Sequence, residues 1–160
     1  MRFTRAAVLA ALISAVSASS AFADATAFIG ANTTPANRQT LGGAIGMSVL
    51  MLGFEFEYAV TTDDPGAGAP SLKTGMANVL LQTPLPLGGF QPYVTGGGGI
   101  YSETLGSQND VSFGSNVGGG VKVTLAGPLA LRVDYRVFKL GSGALYSPAH
   151  RIYAGLNLKF

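Results

Sequence analysis

The decapeptide LALRVDYRVF, Leu129 to Phe138, alternates strictly between two kinds of residue. Leu129, Leu131, Val133, Tyr135 and Val137 form one set, and Ala130, Arg132, Asp134, Arg136 and Phe138 the other. Successive side chains of a strand point to opposite faces, so the segment reads as a strand with three charges on one face and only apolar residues on the other. HRIYAGLNLKF, His150 to Phe160, repeats the pattern: Ile152, Ala154, Leu156, Leu158 and Phe160 oppose Arg151, Tyr153, Gly155, Asn157 and Lys159. In GFEFEYAVT, Phe54, Phe56, Tyr58 and Val60 oppose Glu55, Glu57, Ala59 and Thr61. No segment beyond residue 23 sustains the period of a helix. Turn clusters divide this part of the chain into eight expected strands, at about 25–32, 40–49, 53–62, 73–83, 90–104, 113–125, 129–140 and 150–160. The connections TTPANRQ, DDPGAGAPSL, LGSQNDVS and GSGALYSPA read as longer loops; LML, PLPLGG and AGP read as short turns.

Alternation alone does not say which face meets water. A soluble sandwich or barrel turns its apolar face inward and covers the outside with charge. Charged residues are only 11% of this chain, against roughly 25% in soluble domains. TLGGAIGMSV, Thr40 to Val49, has none. A transmembrane barrel inverts the arrangement, with apolar residues toward lipid and polar ones inside. Lipid offers no partner to an open sheet edge, so such a sheet must close. The expected fold is all-β, an eight-stranded antiparallel up-and-down transmembrane β-barrel.

The amino terminus supports export. MRFTR carries Arg2 and Arg5, AAVLAALISAV is an apolar core too short to span a bilayer, and Ala21-Phe22-Ala23 is an A-x-A cleavage site. Residues 1–23 are expected to be a Sec signal peptide, cut between Ala23 and Asp24, leaving 24–160 as the barrel. Without Arg2 and Arg5, eight basic residues balance eight acidic ones. The basic pI therefore belongs largely to the leader and gives no reason to expect nucleic acid as a partner.

An eight-stranded barrel is just wide enough inside for side chains to fill it. The inward set includes Glu55, Glu57, Glu103 and Asp134 against Lys122, Arg132, Arg136, Arg151 and Lys159. Strands three and seven are diametrically opposed in a ring of eight. Glu55 and Glu57 are thus expected to meet Arg132 and Arg136 across the lumen, as a closed plug held by guanidinium–carboxylate pairs.

YVTGGGGIY, Tyr93 to Tyr101, lacks the Gly-Lys-Ser/Thr of a phosphate loop, and no helix follows it. The strand pattern continues on both sides. If the hairpin pairs about the centre of LGSQNDVS, Gly97, Gly98 and Gly99 face Gly120, Gly119 and Gly118. The glycines would then be one bare patch of wall, with room for Arg132, Arg136 and Tyr153 and with Tyr135 outside it.

The carboxyl end, Tyr153-Ala-Gly155-Leu-Asn-Leu158-Lys-Phe160, resembles the terminal insertion signal of bacterial outer-membrane proteins. With GFEFEYAV, PLGGFQPYVTGGGGIY and LRVDYRV, it makes the chain similar to the small eight-stranded outer-membrane β-barrel family, the group of outer-membrane protein A-like and X-like barrels. The resemblance covers essentially all of residues 24–160. It implies the bacterial outer membrane as location, lipid as environment, and periplasmic chaperones and the barrel assembly machinery as partners in biogenesis. The chain departs from outer-membrane protein A in lacking a peptidoglycan-binding domain, and from the X-like adhesive type in its short loops.

Four function classes can be weighed. The expected one is a structural or surface protein, monomeric, with a charge-plugged lumen. A small-solute porin or gated channel is the alternative, opposed by the charge balance. A lipid A-modifying enzyme would need a His-x-Ser pair, but Arg151-Ile152 follow His150 and Ser147 precedes it. The chain is therefore not expected to be an enzyme. An adhesin would need aromatic or arginine anchors in its loops, and DDPGAGAPSL and LGSQNDVS have none. With no cysteine and one histidine, neither metal nor cofactor is expected.

Overall fold

The computed structural model describes residues 22–160. Eight strands run in order β1 Phe22–Asn32, β2 Arg38–Val49, β3 Leu52–Thr61, β4 Ser71–Gln82, β5 Phe90–Leu105, β6 Gln108–Ala126, β7 Leu129–Lys139 and β8 Ala149–Lys159. Each pairs antiparallel with the next, and β1 pairs with β8, closing a barrel. Both ends of the described chain lie at one rim, with turns 50–51, 83–89 and 127–128. The other rim carries 33–37, 62–70, 106–107 and 140–148.

The pleat sorts side chains as the alternation requires, apolar out and polar in. Ile45, Val117 and Phe113 are 66%, 63% and 67% exposed, while Glu57, Arg132, Arg136 and Arg151 are fully buried. This is the reverse of a water-soluble barrel.

Two expectations about connections are corrected. LGSQNDVS is not a loop. Gly106 and Ser107 make a two-residue turn, Gly106 at φ 61°, and Gln108–Ser112 continue as strand. Glycine supplies the positive φ that tight hairpin turns demand. The register consequently moves by four residues: Gly97, Gly98 and Gly99 face Asn116, Ser115 and Gly114, while Gly118, Gly119 and Gly120 face Thr95, Val94 and Tyr93. The two glycine runs are staggered rather than opposed. PLPLGG, in turn, is not a short turn but part of the seven-residue connection 83–89. Pro84 and Pro86 have no N–H to donate, so the ladder stops before them.

The described chain begins two residues before the expected cleavage point. Ala23 exchanges backbone hydrogen bonds with Phe160, its N–H donating at 2.9 Å and its carbonyl accepting at 2.9 Å. The rest of the expected leader, including Ala21, lies outside the described residues.

Candidate functional site: the filled lumen

Six inward positions on β3, β7 and β8 supply most of the central hub. Glu55 and Glu57 stand two apart on β3, Arg132, Asp134 and Arg136 likewise on β7, and Arg151 is on β8. Across the lumen, Glu55 accepts from Arg132, and from Arg136 at 2.9 Å. Glu57 pairs with Arg136 at 3.1 Å and Arg151 at 3.0 Å. Asp134 receives Arg132 at 3.2 Å and Arg136 at 2.9 Å. Three cations and three anions thus form one neutral chain, each side chain at most 2% exposed. Buried charges persist only when paired and hydrogen-bonded in this way.

Two tyrosines complete it. The Tyr93 hydroxyl donates to Asp134 and accepts from Arg132 Nε at 2.7 Å. The Arg132 guanidinium lies 4.9 Å from the Tyr93 ring centre. The Tyr153 hydroxyl accepts from Arg136 at 3.3 Å, and its ring stacks on Phe28 at 4.0 Å. Tyr153 and Gly155, singled out as parts of the terminal signal, therefore also serve the interior. A Cβ on Gly155 would come within 2.7 Å of Phe28 Cβ. Leu158 and Phe160 point outward, 46% and 72% exposed.

The inward glycines of β6 make the space the hub needs. A Cβ on Gly118 would sit 2.8 Å from Arg136 Cγ, and one on Gly120 would sit 2.9 Å from Tyr93 Cζ. The side chains accommodated are Arg136 and Tyr93; the expected use of this space by Arg132 and Tyr153 is replaced. Tyr135 stands beside Gly119 in register.

The remaining expected charges lie away from the hub, because their positions place them nearer the rims. Lys122 pairs with Asp24 at 2.7 Å, and Lys159 donates to Gln91 at 2.7 Å, both toward the chain-end rim. Between that ion pair and Glu55 is a cavity of about 10 Å³, room for about one water. Glu103, toward the loop rim, accepts the Leu145 N–H at 2.9 Å.

Between the hub and the loop rim is an element the sequence reading missed. Leu72, Met76, Tyr101, Phe138, Leu140 and Ala149 form a buried apolar cluster, with Ala144 of the last loop packed on it. Phe138 joins the two layers: the Arg151 guanidinium sits 4.3 Å from its ring centre. The lumen therefore holds an ionic layer and an apolar layer in series.

The candidate catalytic residues are placed elsewhere. His150 Nδ1 shares a 2.6 Å hydrogen bond with the Tyr135 hydroxyl on the outer wall. Ser147 Oγ is bound to the Leu140 backbone, accepting its N–H at 3.1 Å.

No family model and no curated protein matches the chain. Solved structures do. The N-terminal β-barrel domain of Pseudomonas aeruginosa OprF superposes with a TM-score of 0.66 at 15% identity, covering 87% of this chain and 97% of that one. Neisserial surface protein A gives 0.63 at 18%, covering 88% and 96%. Ail, the attachment invasion locus protein of Yersinia pestis, solved with the heparin analogue sucrose octasulfate, gives 0.56 at 9%, covering 88% and 98%. At these identities the likeness is one of fold.

Proposed function

We propose, on the premise that this chain has the fold of small eight-stranded outer-membrane β-barrels, that it is a structural or surface protein of the bacterial outer membrane with a sealed lumen and no catalytic chemistry. The observation that carries this reading is the neutral hub spanning β3 to β7 and β8. An open pore needs a hydrated path, and here six buried charges pair with one another across the lumen. The apolar cluster in series with it adds a second barrier. A non-enzymatic role is favoured by the engagement of His150 with Tyr135 and of Ser147 with backbone. The expected biogenesis is Sec export, delivery by periplasmic chaperones and insertion by the barrel assembly machinery. The product is a monomer in lipid.

Outer-membrane fractionation with heat-modifiable gel mobility tests the location. A protein that stays soluble, or shows no folded-barrel shift, overturns it. Planar-bilayer recording tests the seal. The purified protein is expected to give no large, steady channels; their appearance would exclude the plug.

A further inference from the structure

The outer wall is asymmetric. Among the described strands, the charges turned outward are Lys73, third residue of β4, and Lys139, last residue of β7. Both are cations and both lie at the loop rim. The opposite rim is ringed by exposed apolar residues, among them Leu52, Leu81, Phe90, Leu125 and Phe160. A belt with cations at one edge only matches a bilayer whose headgroups at that edge are anionic.

The two lysines have different surroundings. Beside Lys139, His150 of β8 faces Val137, which lies between Tyr135 and Lys139 on the same face of β7. Such diagonal neighbours are within reach of long side chains. Ser115 of β6 is in register with Lys139. The Tyr135 hydroxyl holds His150 through Nδ1 at 2.6 Å, which leaves Nε2 as the nitrogen for another partner. Lys139, His150 and Ser115 thus stand on the outer face of three neighbouring strands, and an ammonium, an imidazole and a hydroxyl are each groups that bind phosphate oxygens. Below them the wall is apolar, with Val117, Val133 and Ile152 exposed. It is low on either side of β7, where Gly119 meets Tyr135 and Ala154 meets Val133. Lys73 has Val60 and Ser102 as its register neighbours and Tyr58 as a diagonal one, but no imidazole.

We propose that Lys139, His150 and Ser115, braced by Tyr135, seat the phosphate of an anionic membrane lipid, whose acyl chains run down the wall past Gly119 and Ala154. This rests on the membrane reading. The occupant is a lipid rather than a free anion, because the polar groups sit directly above an apolar surface.

Native mass spectrometry of the folded barrel, released from nanodiscs of equal parts phosphatidylglycerol and phosphatidylcholine, would count retained lipids. Wild type is expected to retain phosphatidylglycerol preferentially. Lys139→Gln should cut that preference about fivefold, His150→Gln should cut it less, and Lys73→Gln should leave it unchanged. Equal retention of the two lipids by wild type would overturn the seat. So would an unaltered preference in both Lys139→Gln and His150→Gln, or displacement of the lipid by millimolar inorganic phosphate. Heat-modifiable mobility confirms that each variant is folded. Co-flotation with the vesicles separates the two levels: a failed membrane reading abolishes flotation with every lipid, whereas a wrong seat leaves flotation intact without preference.

Discussion

The two layers that fill the lumen solve one problem by different physics. In the hub, Arg136 reaches Glu55, Glu57 and Asp134 at 2.9–3.1 Å. Direction and charge decide everything there, because each removed partner strands another buried charge. In the apolar cluster, Leu72, Met76, Tyr101 and Phe138 fill space without direction, and loss scales with the volume removed. A narrow tube can thus be stopped by matched charge or by shape. This barrel uses the matched layer where β3, β7 and β8 converge and the shaped layer beneath its last loop.

The contrast can be broken by substitution. Arg136→Ala should have the largest effect, a loss of about 3–5 kcal/mol, since three carboxylates share that guanidinium. Urea unfolding in detergent micelles, followed by gel mobility, would measure it; a loss below that of an ordinary core truncation would mean the hub is not the tightly coupled layer. Leu72→Ala should cost about 3 kcal/mol, with the remaining layers and the fold intact. Should this variant instead conduct in planar bilayers, the hub alone does not seal. Gly118→Ala should cost about 1–3 kcal/mol, by pressing first on the Tyr135 carbonyl oxygen and then on Arg136. If it proved neutral, the claim that glycine makes room for the hub would be wrong.

The layers also differed in how legible they were. Charges at every second position of LRVDYRV and GFEFEY mark an inward face directly, and opposition of strands three and seven in a ring of eight brings them together. The apolar layer left no such mark. Leu72 and Met76 share the inward face of β4 with Thr74 and Asn78, so composition there does not distinguish the faces. Tyr93 was hidden likewise, because its partner Asp134 is 41 residues away and only register connects them. Register itself failed at LGSQNDVS, where the polar run looked like a loop but Gly106 allowed a turn of two residues. The Asp24–Lys122 pair bore no local mark either, because 98 residues separate its members and only barrel closure brings them together.

The hub has a consequence for the order of assembly. Glu55 is separated from Arg132 and Arg136 by 77 and 81 residues, and Glu57 from Arg151 by 94. β3 is therefore synthesised well before any of these arginines. A bare carboxylate in hydrocarbon is costly, so β3 cannot settle alone in the bilayer and await its partners. The hairpins must enter together, or wait in a wet and sheltered place until the last two strands arrive. Neutralisation then coincides with joining β8 to β1, and the same contacts that fill the lumen make its closure hard to undo.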